Sequence, residues 1–387
     1  MPDNARQPGD VLVISQLPPP THGSTLMTRA FLRALDTQSI PWRLVDRRFS
    51  KAIGEVERFS PRKVSRGLGL VLRLGGAVAR QRPQVVVLVA TTSSYSFLVD
   101  WLLSELLRAL RVPVILYLHT VGFSALAQRG RCWRHAVRRL LGSAKATVIL
   151  DESLECDIEA FIGGRADVIG NTLPELPPTQ SAEVPLATRD TVVFLSNLVP
   201  GKGHEDFLAV AAKCLDGGID AKFVLAGASS PSVAAELNAK IARSGWASNI
   251  SYLGAVDAQA KWDLVSTARV FVFPSTSDAF GLVLLEAAAS GVPIAAYATG
   301  ALAPRLAAAD AAYVVDAGNT ERLAGAIQKL FESPELSERL GARAQAIFAE
   351  SFSHSAYAAS WNRLPGRFGV QASTRRDDPA YWVALVA

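Results

Sequence analysis

Short, nearly uninterrupted apolar runs recur along this chain between stretches of helical period, and that alternation limits the possible folds more than any other feature. Runs of strand length lie at 11–15, 85–90, 114–118, 147–150, 192–195, 222–225, 250–253, 270–273, 293–297 and 313–315. Most lack a polar residue at every second position, so both faces need cover, which predicts parallel sheets enclosed by helices. Helices are expected at 24–35, 62–80, 95–110, 132–141 and 153–161, then at 205–215, 231–243, 259–266, 282–290 and across 320–350. A chain of 387 residues is long for one such sheet, and a proline-rich stretch holding Pro174, Pro177, Pro178 and Pro185 interrupts the alternation. Two α/β doubly wound domains follow, 1–172 and 191–354, joined by a linker at 173–190.

Hydrophobic residues at 49% and charged residues at 19% exclude a disordered chain. Cys132, Cys156 and Cys214 are widely spaced, form no metal pattern with the five histidines, and are expected to be reduced. The polar start and the broken apolar run at 85–103 predict neither a signal peptide nor a membrane span, hence a cytoplasmic protein. Charge is uneven: residues 1–170 hold 23 Lys+Arg against 14 Asp+Glu, and the remainder 17 against 21. The first-half cations cluster at Arg43, Arg47, Arg48, Lys51, Arg58, Arg62, Lys63 and Arg66, and again at Arg129, Arg131, Arg134, Arg138 and Arg139. Such density suits an anionic membrane surface, with possible peripheral association, or is a solvated arginine-rich surface; both readings are open.

In doubly wound sheets, ligands bind beyond the carboxyl ends of strands. One segment there is dense in chemistry: Phe273-Pro-Ser-Thr-Ser-Asp-Ala-Phe-Gly-Leu-Val-Leu-Leu-Glu-Ala-Ala-Ala-Ser-Gly-Val-Pro293. It predicts a loop carrying Asp278 and a helix carrying Glu286 in its second turn. The amides of Phe280, Gly281 and Leu282 are expected to be unpaired at the helix start, a site for phosphates. Either carboxylate can accept hydrogen bonds from sugar or ribose hydroxyls.

The segment resembles the family-4 retaining glycosyltransferases, whose second domain carries P-S-x-x-E-x-F-G-L-x-x-x-E-A-x-A-x-G-x-P. The resemblance implies a GT-B fold of two Rossmann-like domains with an interdomain cleft. It also implies that Glu286 holds the nucleotide ribose while Asp278 faces the transferred sugar; Asp stands where the family usually has Glu. Phe194-Leu-Ser-Asn-Leu-Val-Pro-Gly-Lys-Gly-His204 resembles the family's G-R-L-x-x-x-K-G loop, placing Lys202 at the phosphate-binding lysine. Asn197 replaces the family's arginine and Ser196 its glycine, so one of two cations is missing, with Arg305 the candidate to supply it. The acidic turn the family has near Gly300 lacks its Glu.

In the first domain, Gln16-Leu-Pro-Pro-Pro-Thr-His-Gly-Ser24 lies where the family has a loop that approaches the donor diphosphate, and Gly23 and Ser24 open the following helix. That loop reads equally as a simple turn. His119, in Tyr117-Leu-His-Thr-Val-Gly122, resembles the family's histidine facing the sugar, while Asn171 falls on an architectural turn. A C-terminal helix from about 355 is implied to cross back to the first domain. The chain has no D-x-D, no H-E-x-x-H and no G-x-S-x-G, so neither a metal nor an α/β-hydrolase site is expected.

The implied activity is metal-independent transfer, with retention, of a sugar from a nucleotide-sugar donor, a UDP- or GDP-sugar first, with no cofactor. His119, Lys202 and Asp278 are the expected catalytic residues. The acceptor is a glycan, glycolipid or small molecule, in cell-surface polysaccharide or glycolipid assembly; no nucleic acid is expected as a partner. Two alternatives stand beside it: a degenerate GT-B protein that binds a nucleotide sugar or partner without turnover, and a GT-B epimerase acting on a UDP-amino sugar.

Overall fold

A computed structural model of the chain describes residues 10–18, 23–47, 61–177 and 185–361. The chain divides into two compact units, the first taking the residues up to Pro174 together with those from His354 on, the second Glu175–Ser353. Of the expected linker, 178–184 lies outside the described residues, as do the loop positions 19–22 and the cations Arg48, Lys51 and Arg58.

The first unit holds strands β1 (Val11–Ser15), β2 (Trp42–Asp46), β3 (Val85–Ala90), β4 (Val114–Leu118), β5 (Ala146–Ile149) and β6 (Asp167–Val168). They form one all-parallel sheet in the order β2-β1-β3-β4-β5-β6. Helices α1 (Gly23–Thr37), α2 (Pro61–Arg80), α3 (Ser94–Ala109), α4 (Phe123–Gln128) and α5 (Arg131–Gly142) connect them. Every residue of β1 and β3 is buried, which is why both strands lack polar alternation.

The second unit holds β7 (Thr191–Leu195), β8 (Lys222–Ala226), β9 (Ile250–Tyr252), β10 (Val270–Phe273), β11 (Ile294–Tyr297) and β12 (Tyr313–Val315). Their order, β12-β11-β10-β7-β8-β9, is the dinucleotide-fold order counted from β7, with its reversal between β7 and β10. The helices are α6 (His204–Asp216), α7 (Pro231–Arg243), α8 (Ala258–Ser266), α9 (Leu282–Ala289), α10 (Leu302–Ala308), α11 (Thr320–Glu332) and α12 (Pro334–Ile347). A last helix, α13 (His354–Trp361), belongs to the first unit, where the Trp361 ring lies 4.4 Å from that of Phe31 and the Tyr357 hydroxyl 3.2 Å from that of Tyr117.

Several expectations need correction. The helix expected over 153–161 is a 3-10 turn, Glu152–Asp157, followed by bends. Its carboxylates serve other segments: Glu155 accepts the amide of Ala166, and Asp157 those of Gly122, Phe123 and Ser124, which fixes the start of α4. The polar strand β2 and the short helices α4 and α10 were not anticipated. Arg43 and Arg47 are not surface cations, since Arg43 pairs with buried Asp10 and Arg47 with fully buried Asp100. Arg139 is bound by Glu105. Of the second cation cluster, Arg129, Arg131, Arg134 and Arg138 are exposed.

Candidate functional site

The reversal of strand order in the second unit places the loops after β7 and β10 side by side, because these strands pair directly, Val192 with Val270 and Val193 with Phe271. The backbone then staples the loops together. The carbonyl of Gly201 accepts the amides of Thr276 (2.9 Å) and Ser277 (3.1 Å) and the Ser275 hydroxyl (3.0 Å). Gly203 lies at φ +83°, and a Cβ there would sit 1.9 Å from the Pro274 carbonyl oxygen. Only glycine permits that approach.

Between those two contacts stands Lys202. Its Nζ donates to Asp278 Oδ2 at 2.6 Å and to the Ser277 carbonyl at 3.2 Å. The other carboxylate oxygen, Asp278 Oδ1, accepts the amides of Phe280 (3.2 Å) and Gly281 (3.0 Å). The expectation that these two amides are unpaired is therefore corrected: Asp278 is short enough to fold back over the start of α9 as an Asx-type cap. Lys202, Asp278, Phe280, Gly281 and Leu282 do come together, but as a closed anion site whose present anion is the protein's own carboxylate.

Glu286, one turn into α9, is 5% exposed. Burial raises its pKa from the usual carboxylate range, and the ammonium of Lys261 on α8 pulls it back. Lys261 Nζ donates to Glu286 Oε1 at 2.6 Å and lies 4.5 Å from the Trp262 ring. Sequence reasoning missed Lys261. The only signal, a lysine beside a tryptophan on a polar helix, does not point to a carboxylate 25 positions on.

Asn197 is half-buried just after β7, and its side chain has no hydrogen bond among the described residues. Arg305, on α10, lies with its guanidinium 4.9 Å from the Phe352 ring, which packs edge-on to Phe280 at 6.0 Å. The turn at Gly300 is tied to the loop by Ala301 and Leu302 amides donating to the carbonyls of Ala279 and Phe280.

In the first unit, Gly23 and Ser24 open α1, and Thr28 links Ser24 to the end of β1 through its hydroxyl, 2.9 Å from the Ser24 carbonyl and 2.6 Å from the Ser15 hydroxyl. His119 follows β4 with its ring 4.0 Å from that of Tyr117. The residue is half-buried, and Nε2 is sealed with no partner among the described residues. Burial, helped by the positive charge of Arg47, lowers the His119 pKa to about 3, so the imidazole is neutral at physiological pH. Asn171 is buried, and its Oδ1 has no partner among the described residues. Among the described residues, no cluster of three or more His, Cys, Asp or Glu is placed to hold a metal, and no helix is long and apolar enough to cross a membrane.

Residues 179–347 match the family model of the glycosyl transferases, group 1. The chain is 37% identical over 111 residues to a D-inositol 3-phosphate glycosyltransferase of Streptomyces griseus, covering 29% of this chain and 23% of that protein. It is 26% identical over 171 residues to the alpha-D-kanosaminyltransferase of Streptomyces kanamyceticus, covering 44% of each. The matches thus span less than half the length of these curated relatives. By fold, the chain is similar to sucrose-phosphate synthase from Thermosynechococcus elongatus, with TM-score 0.75 at 18% identity over 93% of this chain and 99% of that one. HepE from Anabaena, solved in complex with UDP-glucose, gives TM-score 0.69 at 17% identity over 92% and 99%. Residues 179–347, less than half of the chain, thus resemble the glycosyl transferases group 1 family, and the two six-stranded parallel sheets match those of the GT-B fold.

Proposed function

We propose that this protein is a retaining, metal-independent glycosyltransferase that moves a sugar from a nucleotide-sugar donor to an acceptor hydroxyl, in the assembly of a cell-surface polysaccharide or glycolipid. The observation that carries the reading is Lys202, stapled at the reversal of strand order beside the start of α9, with Glu286 buried one turn further on. A nucleoside diphosphate fits this arrangement: its phosphates take the ammonium of Lys202 and the helix-start amides, and its ribose diol takes the carboxylate of Glu286. The relatives named as glycosyltransferases, and the neighbours solved with UDP and UDP-glucose, support the same donor class.

To reach the amides of Phe280 and Gly281, a diphosphate displaces Asp278, which frees that carboxylate to turn toward the sugar hydroxyls. Lys202 then offsets charge building on the leaving diphosphate, the role a metal would otherwise fill. The acceptor hydroxyl attacks from the face the diphosphate leaves, and a diphosphate oxygen takes its proton. His119 is neutral and so is not suited to act as an acid.

An anionic membrane surface is the proposed setting for the acceptor. It is supported by exposed Arg131, Arg134 and Arg138 on α5, which packs through Trp133 against Phe97 of α3, where Leu98 and Leu102 are exposed. Two observations favour the second reading, a protein that binds donor without turnover: Asn197 brings no cation, and Lys202 is already paired with Asp278. Release of UDP from UDP-glucose in the presence of a chelator, with the product's anomeric proton read by NMR, decides between them. Turnover with the donor's configuration kept supports transfer; inversion, or no release with any acceptor, refutes it.

A further inference from the structure

Glu286 is buried in an otherwise apolar helix, α9, whose buried neighbours Leu284, Leu285, Ala287, Ala288 and Ala289 offer its carboxyl no polar partner. Left alone there, the carboxyl would favour its neutral form. Lys261 is the charged group that faces it among the described residues: Nζ lies 2.6 Å from Oε1, and the side chain is itself only 21% exposed. The same ammonium lies 4.5 Å from the Trp262 ring. The second oxygen, Oε2, accepts no hydrogen bond from the described residues, and the Glu286 side chain keeps 7% of its exposure.

We infer that Lys261 is a positioning residue for nucleotide binding, holding Glu286 by one oxygen so that the other is presented, ionised, to a ribose hydroxyl. This rests on the donor-site reading above and extends it from α9 to α8. A lysine with no such task on a solvated helix would extend into water instead of bringing its ammonium to 2.6 Å from a buried carboxylate and 4.5 Å from an indole.

The test follows the Glu286 carboxyl directly, by NMR of protein carrying ¹³Cδ-labelled glutamate, with Glu286→Gln assigning the resonance. In Lys261→Met the titration midpoint of Glu286 is expected to rise by about one unit or more, and in Lys261→Arg to stay within roughly half a unit of the parent. UDP affinity is measured in parallel, each variant taken as a ratio to the parent so that titration of the nucleotide's phosphates cancels. Lys261→Met is expected to bind UDP more weakly than the parent, by a factor that grows as pH falls and shrinks as pH rises, with no further loss when placed on Glu286→Gln. An unchanged midpoint, or a UDP deficit that persists in the Glu286→Gln background, overturns the inference while the donor site stands. A parent protein in which Glu286 titrates as expected but no nucleotide binds refutes the donor-site reading, leaves the pair a structural ion pair, and so overturns both.

Discussion

The carboxylate of Asp278 answers two positive partners at once, Lys202 Nζ at 2.6 Å through Oδ2 and the amides of Phe280 and Gly281 through Oδ1. A ligand diphosphate wants the same partners, so Asp278 and donor compete. Asp278→Asn keeps the shape and removes the charge, and is expected to tighten UDP about five- to tenfold while lowering sugar transfer. Lys202→Ala is expected to weaken UDP by roughly tenfold or more. Calorimetric titration with UDP reads both; unchanged or weaker binding in Asp278→Asn contradicts the competition.

The staple that presents Lys202 has its own signature. Gly203→Ala forces a Cβ against the Pro274 carbonyl oxygen at positive φ and is expected to cost at least ~2 kcal/mol, with UDP binding lost. Gly218→Ala has a similar φ of +86° but open space around it, and is expected to cost only about 1 kcal/mol with UDP binding kept. Denaturant unfolding compares the two; equal costs would show that the contact with Pro274 is not what constrains the loop.

His119 links the first unit's stability to pH. Its pKa of about 3 lies below the usual 6.5, so between those values the unfolded chain binds a proton that the folded chain refuses. Stability is therefore complete above about pH 6.5 and falls as pH drops, by ~1.4 kcal/mol per unit for this one group. His119→Gln is expected to flatten the dependence between pH 6 and 4, measured by urea unfolding at each pH. A parent slope identical to the variant's contradicts a buried neutral imidazole.

Strands such as β3 and β10 were legible because burial on both faces leaves an unbroken apolar run, and the loops that follow them could be searched for carboxylates and cations. That search reached Lys202, Asp278 and Glu286. Strand β2, Trp42–Asp46, was hidden because it sits at the sheet edge and carries Arg43, whose partner Asp10 is 33 residues earlier. The helix α4 is begun by Asp157, some 33 residues later, so no local cap marks it. The turning of Asp278 onto its own helix start, and the reach of Lys261 to Glu286, are likewise decided by packing between segments rather than by spacing along the chain.

A nucleotide-sugar site built on Lys202 and Glu286 is tested by saturation-transfer NMR against a panel of UDP-, GDP-, dTDP- and ADP-sugars. Selective contact with one nucleotide sugar is expected in the parent protein, abolished in both Lys202→Ala and Glu286→Ala. No transfer to any member at millimolar ligand, or a signal that survives both substitutions, would contradict it.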